Sequence, residues 1–128
     1  MGLYEKVVKS YGAYAYTLAR VLFGLLFFLH GVSKFSKGMP QGLMLVAGVI
    51  ELLVGLGVCT GFFTRLAATG GLIQMVVAYV KVHAFTALSP LANGGELAVL
   101  FFAGFLLLAV HGNGWLSLEK ALLKKEVF

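Results

Sequence analysis

Charge is scarce in this sequence. Acidic and basic residues together make up 12% of its 128 residues, against 60% hydrophobic residues and a mean hydropathy of +0.96. A soluble domain of this size has too little interior to hide so much apolar surface, which excludes a water-soluble globular protein. There is one cysteine, Cys59, so an internal disulfide and a two-cysteine redox centre within the chain are excluded. Cys59 itself reads as a small packing residue. Two prolines, no low-complexity tract and no long polar stretch leave no place for a linker, so residues 1–128 read as a single membrane domain. No metal-ligand spacing, phosphate loop or nucleophile elbow occurs. The net charge of +5 raises the question of nucleic acid. The basic residues, however, flank apolar runs and form no patch interleaved with aromatics, so the expected partner is the lipid bilayer.

Long apolar runs are what the chain does have. They recur at about 16–33, 42–61, 66–82 and 95–110, each near the length needed to cross a bilayer, some with tilt. Turn chemistry separates them: SKGMPQG after the first, GFFTR after the second, TALSPLANGG before the fourth and GNG at its end. The expected fold class is therefore all-α, a four-helix transmembrane bundle. Lys6, Lys9, Arg65, Lys120, Lys124 and Lys125 fall on one side, against Lys34, Lys37 and Lys81 on the other, which places both termini in the cytoplasm. A signal peptide is disfavoured because HGVSKF, not a small-residue cleavage site, follows VLFGLLFFL. Tyr4, Tyr11, Tyr14, Tyr16 and Trp115 read as interfacial rings, and SLEKALLKK as a short surface helix capped by Ser117.

The few polar residues inside those runs are the candidate site. Glu51 stands in the middle of GLMLVAGVIELLVGLGVCTG, with Gly48 three before it and Gly55 four after it. A carboxylate at the bilayer centre must be paired, hydrated or protonated, and will not face lipid. Gln74 falls at similar depth on the third, antiparallel helix. On the first helix Arg20, Phe27 and Lys34 are seven apart and His30 lies four before Lys34, so Arg20, His30 and Lys34 share one arc that should face the bundle. Glu51 is either a structural lock bonded to Gln74, Arg20 or His30, or a proton-handling, ligand-binding group. His30 and Lys34 read either as an anion or quinone-head-group site or as a carbonyl-bonded histidine and a snorkelling lysine. Glu96 in NGGE fits a capping-box pattern with Asn93 as N-cap and Glu96 at the third helical position, with a ligand role as the alternative. His83 in KVHAF is a further candidate; bis-histidine haem ligation would need His30 and His83 together. Arg65 and His111 read as boundary residues contacting headgroups or helix C-terminal carbonyls. Gly57 and Gly61 form a GxxxG pair that suggests a homo-oligomer seam.

LARVLFGLLFFLHGVSKF, AGVIELLVGLGVCTGFFTRLAA and PLANGGELAVLFFAGFLLLAVHGNGWLSLE together resemble the DoxX family of small four-helix membrane proteins over almost the whole chain. The shared features are Arg20, the HGxxK of His30, Gly31 and Lys34, Glu51, the GxxTR link, NGGE, and Gly112 and Gly114; Glu119 stands where family members commonly carry aspartate. The resemblance implies a multi-pass plasma-membrane protein linked to redox metabolism, since a related subunit belongs to a thiosulfate:quinone oxidoreductase. Three functions stay open: a membrane subunit binding a quinone or similar lipophilic ligand, a passive anchor for a soluble or membrane oxidoreductase, and a small-solute carrier or channel.

Overall fold

The computed structural model describes residues 1–114 and 117–126; Trp115, expected at the membrane interface, lies outside them. Helix α1 runs Leu3–Lys34, α2 Leu43–Thr60 and α3 Thr64–Ala78, the last continuing as a π-helical turn over Tyr79–His83. A one-turn helix α4, Pro90–Asn93, precedes α5, Glu96–His111, and α6 is Leu118–Leu123. The described residues contain helices and connecting turns and no strand.

Three of these helices are long and apolar enough to cross a membrane: α1, α2 and the continuous Thr64–His83 segment. The fourth apolar helix, α5, has 16 residues and rises only about 24 Å. α1 departs most from expectation. It begins at Leu3, not near Tyr16, because Glu5 accepts a hydrogen bond from the Gly2 N–H (3.0 Å) and no proline interrupts the 32 residues that follow. The segment read as a loop before α5 contains α4, which Pro90 starts at its first position and Gly94 ends in the left-handed region (φ 75°).

Glycines set how closely the helices approach. Gly24 on α1 packs on Cys59 and the Gly55 carbonyl of α2 and Gly31 on Leu52 and Glu51, while Gly48 and Gly55 on α2 receive Phe35 and Phe28. A Cβ on Gly55 would lie 2.6 Å from Phe28 Cα, and one on Gly31 would lie 2.9 Å from the Leu52 backbone nitrogen. The two backbones therefore touch, as small-residue faces allow in membranes. α3 packs on α5 the same way, with the Phe105 ring seated on Gly71. Phe105 is fully buried and meets Phe27 and Phe23 edge-on at 4.7 and 5.0 Å. Outside this core the large aliphatic side chains point outward; Leu18, Leu53, Leu66 and Leu107 are each more than half exposed. Lipid is the solvent that suits such a surface.

Gly57 and Gly61 are occupied inside the molecule, which corrects the expectation of an oligomer seam there. Gly61 caps α2 in the left-handed region (φ 73°), against Ser117 and Arg20, and Gly57 packs on the Phe62 carbonyl and Ala67.

Candidate functional site

Glu51 owes its position to its glycine neighbours. Because Gly48 and Gly55 bring α1 against that face of α2, the last residue of α1 reaches the carboxylate: Lys34 Nζ lies 2.9 Å from Oε1 and 2.7 Å from Oε2. On the other side Gln74 of α3 donates from Nε2 to Glu51 Oε1 (3.0 Å), with the Ala47 carbonyl at 3.5 Å. Glu51 is 5% exposed, so its charge depends on these two partners. Lys34 keeps 21% of its side chain exposed and one ammonium proton beyond the two that the carboxylate takes. Gln74 Oε1 is buried and accepts no hydrogen bond.

These three polar groups border a groove of about 440 Å³ between α2 and α3. Its walls are apolar, formed by Met44, Ile50, Ile73 and Val77, and Lys81 stands on its rim. Lys81 lies seven residues beyond Gln74, on the π-helical turn, and is exposed. The groove thus offers ammonium and amide donors, a carboxylate bonded to both, and an amide oxygen able to accept. That set places hydrogen-bond donors and acceptors together at the edge of an apolar groove.

The other sequence candidates lie elsewhere. His30 is half-buried and packs edge-on against Phe101, with ring centroids 5.6 Å apart, and Glu51 bonds neither it nor Arg20. His83 Nδ1 lies 3.0 Å from the Asn93 carbonyl, and Asn93 Nδ2 donates to the Tyr79 hydroxyl (3.0 Å), tying the π-helical turn to α4. Glu96 is exposed and is the first residue of α5, not the third, so the expected capping box does not form. Asn93 Oδ1 instead accepts from the Gly95 N–H (2.8 Å).

Arg20 belongs to a second polar cluster, at the opposite end of the bundle, centred on a residue that the sequence reading missed. Asn113 is fully buried and uses every polar group it has. Its carbonyl accepts from Arg20, its Oδ1 from the Thr64 hydroxyl, its Nδ2 donates to Glu119 (2.5 Å) and its N–H to Glu126 (3.1 Å). Glu119, also fully buried, donates its own N–H to the Gly61 carbonyl (3.1 Å). Ser117 caps α6 as expected, accepting from Lys120 N–H (3.2 Å), yet α6 is docked through Glu119 and does not lie free on the surface. Arg65 reaches the His111 carbonyl at the end of α5 (3.5 Å) and bonds Glu126 (3.0 Å). Partial burial pushes the Glu126 carboxyl up. The Arg65 hydrogen bond, the Asn113 N–H and the charges of Arg65 and Lys120 outweigh that and hold it below the ordinary value of 4.5. Asn113 stands between two glycines, both at positive φ (80° and 75°), a stretch that the sequence marks only as a turn.

The family described as DoxX matches residues 15–84. The chain belongs to the DoxX family. The matched stretch carries Lys34, Glu51, Gln74 and Lys81, the polar residues of the groove. Among similar proteins is one from Haemophilus influenzae named "Uncharacterized protein", 34% identical over 92% of this chain and 98% of its own length. Another, from Bacillus subtilis, bears the name "Putative oxidoreductase CatD" and is 29% identical over 84% of this chain and 86% of its own. No solved structure matches the chain significantly. DoxX proteins are small membrane proteins, in keeping with the three helices of spanning length found here.

Proposed function

We propose that this DoxX chain is a multi-pass plasma-membrane subunit of a redox system that holds a quinone or similar lipophilic molecule in the α2–α3 groove. In this reading α5 is the fourth span and both termini face the cytoplasm. The observation that carries it is the Lys34–Glu51–Gln74 set at the edge of an apolar groove, with Gln74 Oε1 buried and unbonded. A quinone head suits the groove: an oxygen of the head takes a hydrogen bond from the spare Lys34 ammonium proton, a hydroxyl of its reduced form donates to Gln74 Oε1, and its ring and tail suit the aliphatic walls. When bound, such a group supplies two-electron, two-proton chemistry. The chain's own part is to hold the head, keep lipid and water away from it, and pass a proton at the Glu51 carboxylate while Lys34 balances the charge. The relative's printed name, an oxidoreductase, agrees with this setting.

The test is binding by the purified protein in lipid particles. Ubiquinone or menaquinone should raise the melting temperature, because a ligand bound only by the folded state stabilises it, and Gln74→Leu should abolish the rise. No shift with either quinone, together with no lipid-soluble molecule copurifying, defeats the reading. The exposed Lys124 and Lys125 beside docked α6 favour a second reading, a membrane anchor for a soluble oxidoreductase. Truncation after residue 115 should then release a protein partner from native membranes.

A further inference from the structure

The outward face of α1 carries an unbroken heptad from Tyr4 to Val32. Tyr4, Tyr11, Leu18, Leu25 and Val32 are each seven apart, and all are exposed, from 80% at Tyr4 to 41% at Leu25. Val8, Ala15, Leu22 and Leu29 form a second, equally regular row, each four residues after a member of the first, and all are exposed. Two rows alternately three and four residues apart are the a and d positions of a coiled coil. The positions diametrically opposite are Arg20, Phe27 and Lys34, which face the bundle, so the seam points directly away from the molecule's own core.

Lipid accounts for the part of this seam beside the bundle but not for the rest. Tyr16 donates to the Gly112 carbonyl (2.7 Å), which fixes the level at which α5 ends. Residues 3–15 of α1 therefore project about 20 Å past the end of the bundle. Tyr4, Val8 and Tyr11 are on that projection, and no other element covers them. Tyr11, about 8 Å past Tyr16, is within reach of the headgroup layer as expected of an interfacial ring, but Tyr4, about 18 Å past it, stands beyond the headgroups, where an apolar stripe is best buried against another protein surface.

We infer that this DoxX chain self-associates through α1, as a parallel two-fold pair zipped along the Tyr4–Val32 seam. Two copies inserted the same way in one membrane carry their projections side by side and parallel, which is the arrangement that a parallel coiled coil requires. The charges agree. Lys6 and Lys9 sit off the seam, and no charged residue occupies an a, d or g position between Tyr4 and Val32. Of the flanking e positions, Gly12 and Ala19 are small and permit close approach, Leu26 is apolar, and Glu5 sits exposed at the N-terminal tip. A two-fold axis places identical rings and leucines opposite one another without leaving a like-charge pair buried. The pairing is separate from the groove, which opens between α2 and α3.

Disulfide cross-linking in native membranes at low expression tests the pairing, in a Cys59→Ala background. Single cysteines at Tyr4 and Tyr11 should give covalent dimer about tenfold more readily than cysteines at Lys6 and Ala13, which lie on the opposite face. Equal yields on both faces, dimer at Leu18 and Leu25 but not at Tyr4 and Tyr11, or no dimer at any position overturns the inference. As a second measurement, mass determination in lipid particles should give twice the chain mass for the parent, and the single mass for Tyr11→Lys with unchanged helix content. A parent of single mass overturns it as well.

Discussion

Replacing Glu51 by leucine tests how much of the bundle's stability rests on the buried ion pair. The substitution removes both acceptors of Lys34 Nζ and the acceptor of Gln74 Nε2 in one step. Lys34 is 21% exposed and able to swing its ammonium toward the surface, so its loss is partial, near 1 kcal/mol. Gln74 has no such outlet; with Oε1 already unbonded and Nε2 left only the distant Ala47 carbonyl, its amide costs about 2 kcal/mol more. The expected total is about 3 kcal/mol for Glu51→Leu. Lys34→Met alone strands a carboxylate that is 5% exposed and should cost at least as much. The double variant should recover about 1 to 3 kcal/mol relative to the sum of the singles. Reversible unfolding in mixed micelles, followed by circular dichroism, measures all four corners of the cycle. Additivity within about 0.5 kcal/mol means that the two groups do not interact across the helices, and refutes the pair as drawn. Glu51→Gln separates structure from function: the amide can still accept from Gln74, so it should fold, while ligand-linked proton exchange should cease.

Three further outcomes follow from other parts of the molecule. Asn113→Ala removes the two side-chain hydrogen bonds, to the Thr64 hydroxyl and from Nδ2 to Glu119, while the backbone bonds to Arg20 and Glu126 remain, and should lower stability by about 3 kcal/mol in the same unfolding assay. Glu126 is held below its ordinary 4.5, so the stability it contributes is present above that value and is lost as pH falls through its lowered folded value. Glu126→Gln should therefore flatten the acid limb of the stability profile below about pH 5, and an identical limb in both proteins counts against the Arg65–Glu126 contact. Gly55→Leu drives a side chain into the Phe28 backbone and should prevent α1 and α2 from closing, read as loss of the folded band, whereas Gly70→Ala, which faces only the tip of Val54, should be tolerated.

How far the site was legible in the sequence depends on whether a residue's partner is set by helical phase or by height. Phase was enough for Glu51 and Gln74, which period arithmetic placed at one depth on neighbouring antiparallel helices, and which are hydrogen-bonded. Phase also put Arg20 and Lys34 on one inward arc, correctly. It could not say that they serve different clusters: fourteen residues separate them by about 21 Å along the helix, so Lys34 meets Glu51 while Arg20 meets Asn113. The Asn113 cluster was illegible because it is built by loops. Its geometry depends on left-handed glycines at 112 and 114, and on Gly61 presenting its carbonyl to Glu119, none of which a periodic pattern encodes. The Glu96 capping box failed for a related reason: Pro90 starts a separate turn, so Asn93 ends one helix instead of opening the next.

The contrast between the two polar clusters bears on the proposed function. Asn113 engages its carbonyl, its N–H and both side-chain atoms with protein groups, as expected of a polar knot whose work is to fix a tight chain reversal. Gln74 is its counterpart in the groove, an amide of the same chemistry, yet it bonds through Nε2 and leaves Oε1 buried and unbonded. The hydrogen bond to Glu51 stabilises the bundle, but the unmet buried acceptor beside it costs about 1 to 3 kcal/mol. Turning the amide over would only exchange one unmet group for another, because a Gln74 oxygen facing the Glu51 carboxylate would be repelled. The asymmetry is therefore fixed by Glu51 itself. The carboxylate orients the glutamine, and the glutamine presents an acceptor where Lys34 presents a spare donor proton, beside a groove whose remaining walls are hydrocarbon. A molecule with a donor and an acceptor on one apolar body meets both needs, which is why the groove, and not the better-bonded cluster around Asn113, is where the chemistry of this DoxX protein should be sought.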